Sequence, residues 1–230
     1  MTKAPVICVD GPSGAGKGTL STKLAEALGW HLLDSGALYR IVGYACVLRD
    51  ISWHDEARVV EVAETLDVRF VPSPSGVSVW LAGQDVTTQI RSQDGSRGAS
   101  AVAVLAKVRV ALLERQRELA TFPGLVADGR DMGTVVFPSA ALKIFLTASP
   151  EARASRRQAQ LLEKGESVSL PRLLDSINER DERDTNRSAS PLVAAQDAVH
   201  IDSSALSVDA VCDRVFELAA GKGLIARSPN

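Results

Sequence analysis

Cysteine is scarce: the 230 residues contain three, Cys8, Cys46 and Cys212. An odd number at such wide spacing fits neither a disulfide framework nor a zinc cluster. Cys8, inside an apolar run, reads as a small core residue. Long apolar stretches are absent too, none approaching the roughly 18 residues that a membrane span needs. Net positive charge is likewise missing, since 26 Lys and Arg stand against 28 Asp and Glu for a formal charge of -2. With a sequence pI of about 6.0, that excludes the generally basic surface of a nonspecific nucleic-acid binder, so any anion site has to be built locally. There is no internal repeat and no low-complexity tract. Met1-Thr2-Lys3-Ala4 leads straight into the first apolar run, which leaves no room for a signal peptide. A reduced, cytoplasmic protein is expected.

What the chain does have is an apolar content of 45%, enough for one α/β domain of ordinary size with a modest insertion. Short apolar runs at Val6–Val9, His31–Leu33, Leu125–Ala127, Leu142–Leu146 and Val199–Ile201 read as buried parallel strands. Helical patterns over Lys17–Leu28, Ala37–Leu48, Ala101–Leu119, Glu151–Leu162, Pro171–Arg183 and Val208–Ala220 separate most of them. The alternation predicts a doubly wound, five-stranded parallel sheet with ligands at the carboxyl ends of its strands. Asp10, Asp34, Asp128 and Asp202 each fall just after one of those strands, along the edge where a site belongs.

Two segments interrupt the alternation. Between about Asp67 and Ile90, Val68-Arg69-Phe70-Val71 and Val77-Ser78-Val79-Trp80-Leu81 flank the turn Pro72-Ser73-Pro74-Ser75-Gly76. This predicts a β-hairpin with a third strand to follow, a small antiparallel insert on the α/β core. The charged stretch Glu163–Ser190, opening at Lys164-Gly165, reads as a mobile flap.

The densest chemical signal follows the first strand: Asp10-Gly11-Pro12-Ser13-Gly14-Ala15-Gly16-Lys17-Gly18-Thr19. Strand, glycine loop and helix in this order form the setting of a phosphate-cradling loop. Glycines let successive N–H groups turn onto a polyphosphate, and the helix N-terminus favours the same anion. Lys17 adds a point charge for the β- and γ-phosphates, and a hydroxyl reaches Mg²⁺. Gly18 follows the lysine, so the hydroxyl comes one residue late, at Thr19. The chain is expected to bind a nucleoside triphosphate.

Asp34-Ser35-Gly36-Ala37-Leu38-Tyr39-Arg40 opens the second helix. Ser35 suits an N-cap as well as a ligand. Arg40, a cation in about the first turn, opposes the helix dipole and makes sense beside an anion. Ala127-Asp128-Gly129-Arg130-Asp131-Met132-Gly133-Thr134 follows the third strand, and Asp128 stands where a Walker-B acid would hold Mg²⁺ directly or through water. Arg130 and Asp131 leave a glycine-flanked turn there, readable as ligands or as a local ion pair. Arg180, Arg183, Asp184 and Arg187 recur on one helical face, with Asp181 and Glu182 pointing elsewhere. A solvated salt-bridged face is the plain reading, but one carboxylate among three arginines leaves the face cationic. Arg156 and Arg157 either add to it or are solvated.

The Gly-Lys-Gly-Thr loop resembles that of the nucleoside monophosphate kinases. Together with Asp34–Arg40, Asp128–Thr134 and Glu179-Arg180-Asp181-Glu182-Arg183-Asp184, it resembles the bacterial cytidylate kinases. The similarity runs from about Val6 to Ile201, includes the β-rich insert, and shows no departure at a motif position. It implies a single domain with a core of about residues 1–62, 98–155 and 191–230, a monophosphate-binding insert of about 63–97 and a helical lid of about 156–190. It implies transfer of the γ-phosphoryl of ATP to CMP or dCMP with Mg²⁺. By that resemblance Gly11, Pro12, Ser13, Gly14, Ala15, Gly16, Lys17, Gly18, Thr19 and Arg157 bind ATP. Ser35, Arg40, Arg130 and Arg187 surround the monophosphate. Ser100, Arg109 and Asp131 read the cytosine edge, and Arg180 with Asp184 holds the sugar. Lys17, Asp128, Arg130 and Arg187 are the catalytic set, with Thr19, and Asp128 through water, at the metal. On pattern alone Ser100 is a helix N-terminal serine and Arg109 a surface arginine.

Catalysis of this kind needs no protein nucleophile, only in-line positioning and charge neutralisation in a site closed to water. Nucleotides are the implied partners, with no nucleic acid and no membrane, and a monomer is expected. A kinase of the same core acting on a polyol is one rival. A regulatory nucleotide switch is the other, and the chain lacks the Asn-Lys-x-Asp motif that usually reads guanine.

Overall fold

The computed structural model describes residues 3–73, 76–163, 165–187 and 189–225. In chain order, β1 (Val6–Asp10), α1 (Lys17–Leu28) and β2 (His31–Asp34) are followed by α2 (Ser35–Leu48) and α3 (Glu56–Glu64). Next come β3 (Val68–Ser73), β4 (Gly76–Leu81), β5 (Gln84–Asp85), α4 (Thr87–Ile90), α5 (Gln93–Val102) and α6 (Ala106–Glu118). After these lie β6 (Leu125–Gly129), a π-helical turn (Met132–Val136), β7 (Leu142–Thr147), α7 (Pro150–Glu163), α8 (Leu170–Asn186), β8 (Val199–Asp202) and α9 (Val208–Gly221). The chain divides into two compact units, Met1–Leu33 with Leu119–Asn230, and Asp34–Glu118.

The first unit is built on the five-stranded sheet, ordered β2-β6-β1-β7-β8. β1 lies in the middle, parallel to β6 and to β7, with β8 parallel to β7 beyond. Every residue of β1 is buried, as expected of a strand covered on both faces. Ile7, Val9, Ile144, Leu146 and Ile201 pack with Leu20 and Leu24 of α1 and with Val211 and Val215 of α9 in one core. Val9 is level with Asp128 and Asp10 with Gly129, so register alone brings the acidic strand ends of β1 and β6 together.

The second unit holds the antiparallel sheet β3-β4-β5, in which Val68 pairs with Leu81 and Phe70 with Val79. The expected insert and its third strand are both present; Pro74 and Ser75 of its turn, like Lys164 of the flap, lie outside the described residues. α2 and α5 cross at glycines. A Cβ on Gly43 would sit 2.8 Å from the carbonyl carbon of Gly98, so only hydrogen side chains permit this backbone approach. Trp53 closes the crossing by donating its indole N–H to the Gly43 carbonyl at 2.9 Å.

The single helix expected over Ala101–Leu119 is two helices, α5 and α6, and the break has a physical cause. Arg109 donates to the Ala103 carbonyl at 3.2 Å, satisfying an acceptor that α5 leaves open at its end. The pattern also passed over α3, capped by Asp55, whose carboxylate accepts the Arg58 N–H at 3.2 Å.

Gly43→Ala should lower stability by about 1–3 kcal/mol, the usual cost of overpacking. Gly221→Ala, where a Cβ meets nothing within 4 Å, should be neutral or stabilising by up to about 1 kcal/mol. Urea unfolding of both variants checks the contrast, and equal midpoints would contradict a close crossing.

Candidate active site

In the first unit the loop between β1 and α1 starts at Gly11, with φ of 147°. A Cβ there would fall 2.0 Å from the Leu146 carbonyl oxygen, so the loop leaves the sheet along a path open only to glycine. Lys17 opens α1 and is 6% exposed. Its Nζ donates to the Pro12 carbonyl at 2.9 Å and stands 3.9 Å from Asp128 Oδ1. Burial, then the charges of Arg130 and Arg180, bring its pKa down to about 8 against the opposing pull of Asp128 and Asp10. Thr19 is exposed in the first turn of α1.

Asp10 builds the neighbouring turn. Its carboxylate accepts from the backbone N–H groups of Met132 and Gly133, both at 2.8 Å. Burial raises its pKa to about 6 although both amides favour the charged form. These bonds hold the π-helical turn whose preceding residue, Asp131, is buried. The sequence marked Asp10 only as a strand-end acid; nothing local reveals a partner 122 residues away.

Arg130 and α8 form the second cluster. Arg130 Nε donates to Asp184 Oδ2 at 2.8 Å. Burial would raise the Asp184 pKa, but Arg130, Arg180 and Arg187 hold it below the ordinary carboxylate value. Arg187 is buried just past the end of α8 and donates through Nε to the Ser190 carbonyl. Arg183 departs from the expected face: it is exposed and donates back to the Glu179 carbonyl at 3.2 Å, within its own helix. Asp181 does not point away idle but receives Arg153 Nη1 at 3.0 Å. Arg157 is exposed, whereas Arg156 donates to the Ser203 carbonyl in the loop after β8. Asp202 is exposed and committed to Ser204, accepting its N–H at 2.8 Å.

The candidates of the second unit have their own settings. Asp34, not Ser35, caps α2, its Oδ1 accepting the Ala37 N–H at 2.9 Å. Ser35 is buried in the first turn, and Arg40 is the sixth residue of α2, in its second turn. That is beyond the reach of a strong dipole penalty. Ser100 lies near the end of α5, not at a helix start, and bonds back to the Ser96 carbonyl at 3.1 Å. Arg109 is half-buried, its guanidinium carbon 5.4 Å from the centroid of the Tyr39 ring, an arrangement that fixes a cation by its face.

In the first unit, then, the charges of Arg130 and Arg180 act on Lys17, and Asp128 and Asp10 only partly offset them. Such a set is suited to a polyanion. A parallel sheet with a glycine loop and lysine after its central strand defines a phosphate-loop nucleotide-binding fold. A solved structure of an uncharacterized protein from Eubacterium ventriosum shares the fold, with a TM-score of 0.51, 12% identity, and coverage of 95% of this chain and 99% of that one. The family model described as "Cytidylate kinase" matches residues 7–221. A cytidylate kinase from Shewanella denitrificans is 54% identical over 217 residues, covering 94% of this chain and 96% of that protein. One from Proteus mirabilis is 55% identical over 215 residues, with the same coverage. The chain belongs to the cytidylate kinase family.

The low pKa of Lys17 has a kinetic consequence. kcat/KM for ATP reports the free enzyme and should fall as pH rises through about 8, where Lys17 loses its proton and its charge. Bound polyphosphate favours the ammonium, so the limb in kcat should lie at higher pH. In Lys17→Arg the limb should vanish, because a guanidinium does not titrate there. A limb surviving near 8 in that variant would assign the titration to another group.

Proposed function

We propose that the residues gathered here divide the phosphorylation of CMP between a donor loop and an acceptor helix. As a member of its family the protein is an ATP-dependent nucleoside monophosphate kinase, which gives ADP and CDP from ATP and CMP, and likewise accepts dCMP. The observation that supports the division is the placement of Lys17 and the Arg130–Asp184 pair on different elements of one unit. The loop from Gly11 to Thr19 takes the triphosphate, with Lys17 neutralising charge on the transferred group. Arg157, exposed on α7, is assigned to ATP.

On the acceptor side Arg130 and Arg187 hold phosphate oxygens, and Asp184 with Arg180 takes the sugar hydroxyls. The ion pair with Arg130 keeps Asp184 an acceptor at neutral pH. Asp131 accepts from the exocyclic amine of cytosine, where uracil would present a carbonyl to the carboxylate. In the second unit, Ser35 and Arg40 are assigned to the monophosphate, and Ser100 and Arg109 to the base. The segment of about residues 156–190 is assigned as a lid that excludes water from the reaction.

Among the described residues no group of three or more His, Cys, Asp and Glu is placed to hold a metal. The Thr19 hydroxyl and the Asp128 carboxylate, whose Oδ2 lies 3.6 Å from where a Cβ on Gly18 would fall, are hard oxygen donors. Two such groups fit Mg²⁺, which is usually carried by substrate phosphates and water with few protein ligands. When bound, Mg²⁺ would neutralise phosphate charge. Among the described residues no helix is long and apolar enough to cross a membrane.

Asp131→Ala should lower kcat/KM for CMP far more than for UMP, narrowing their ratio by about tenfold or more, because the variant loses both the favourable contact and the repulsive one. Steady-state kinetics with the two acceptors check this. An unchanged ratio would remove Asp131 from base reading.

A further inference from the structure

Arg153 belongs to neither the donor nor the acceptor set, yet it is 2% exposed and joins three segments of the first unit. Its Nε donates to the Ala148 carbonyl at 3.0 Å, at the end of the β7 connection. Nη1 donates to the Ser13 carbonyl in the phosphate loop at 3.1 Å and to Asp181 of α8 at 3.0 Å, and Nη2 reaches the same carboxylate. The stem packs under the loop: a Cβ on Gly14 would lie 3.3 Å from Arg153 Cβ. A buried cation is tolerated only when paired, and the half-buried Asp181 supplies the charge. Only a planar fork of donors serves three directions at once; an ammonium cannot span them.

The bond to Ser13 also orients the loop. In a trans peptide the carbonyl and the following N–H point in opposite directions, so a Ser13 carbonyl turned to Arg153 sends the Gly14 N–H the other way. Two more loop carbonyls are held alike. Pro12 accepts from Lys17 at 2.9 Å, and Ala15 accepts from the buried Ser203 hydroxyl at 2.9 Å. With carbonyls drawn onto side chains, the amides of Ser13, Gly14 and Gly16 are left as donors for an anion.

We propose that Arg153 is a positioning residue for phosphoryl transfer. It sets the Gly14 amide in the donor loop and, through Asp181, ties that loop to α8, so that donor and acceptor groups share one frame. Asp181 directly follows Arg180 and precedes Asp184 by less than one turn, so the tie acts where the acceptor groups stand. The inference rests on the assignment of α8 to the acceptor.

Its test is steady-state kinetics of Arg153→Met, Arg153→Lys and Asp181→Ala, with ATP and CMP varied in turn and folding followed by thermal denaturation. Arg153→Met should lose kcat on the order of 100-fold, and Asp181→Ala, which keeps the Ser13 bond, about tenfold with KM for ATP unchanged. Arg153→Lys should recover part of the loss. Wild-type kcat in Asp181→Ala, or a defect in Arg153→Met confined to KM for ATP, would overturn the tie. If Arg153→Met does not fold, Asp181→Ala decides alone. Arg187→Ala in parallel keeps two failures apart: a defect lying mainly in KM for ATP there overturns the acceptor assignment of α8 and not the contact made by Arg153.

Discussion

Burying cations is the constraint on which this fold turns. Lys17, Arg153 and Arg187 are all but removed from solvent in one unit, and Arg130 is half-buried beside them. Each is answered locally: Lys17 by the Pro12 carbonyl and Asp128, Arg130 by Asp184, Arg153 by Asp181, Arg187 by the Ser190 carbonyl. Such pairs add little net stability, because desolvation offsets their attraction. Their value lies in preorganisation. Charge fixed before the substrate arrives need not be reorganised when a phosphoryl group moves.

The same economy explains why β1 is central. Its last residue, Asp10, is level with Gly129 of β6 and reaches over to fix the amides of Met132 and Gly133. One strand therefore delivers the phosphate loop at its carboxyl end and also sets the turn that carries Arg130 and Asp131. Little room is left for change there: a Cβ on Gly133 would meet the Lys143 side chain at 3.0 Å. The turn is tight because the carboxylate, the lysine stem and the backbone fill it.

Much of this was legible in the sequence. Short apolar runs mark all five strands of the large sheet, four of them followed directly by Asp, and α1 begins at Lys17 as its pattern indicates, since glycine cannot extend the helix backwards at low cost. Local signals that compete were harder to read. The alanine-rich stretch around residues 101–106 looks helical throughout, but the Arg109 side chain stabilises a break in it. Asp34 and Ser35 are both good caps, and only geometry chooses Asp34. Arg153 was invisible because its partners lie 28 and 140 residues away, and helical spacing describes neighbours within a few turns. Ser100 and Arg109 of the second unit stand out by resemblance alone, with no pattern in their own surroundings to mark them.

The central claim is that these cations and carboxylates form a site for phosphorylating a cytosine nucleotide, not merely a phosphate-binding loop on a common fold. ADP release by the unmodified protein, measured with ATP and Mg²⁺ against CMP, dCMP, UMP, AMP, GMP and a polyol, tests it most directly. CMP and dCMP should give kcat/KM values at least about 100-fold above the purine nucleotides and the polyol, because a site fitted to a pyrimidine ring and the position of its amine leaves polar groups unmet by a larger base or by none. Equal rates across the monophosphates, or turnover of the polyol alone, would contradict the account.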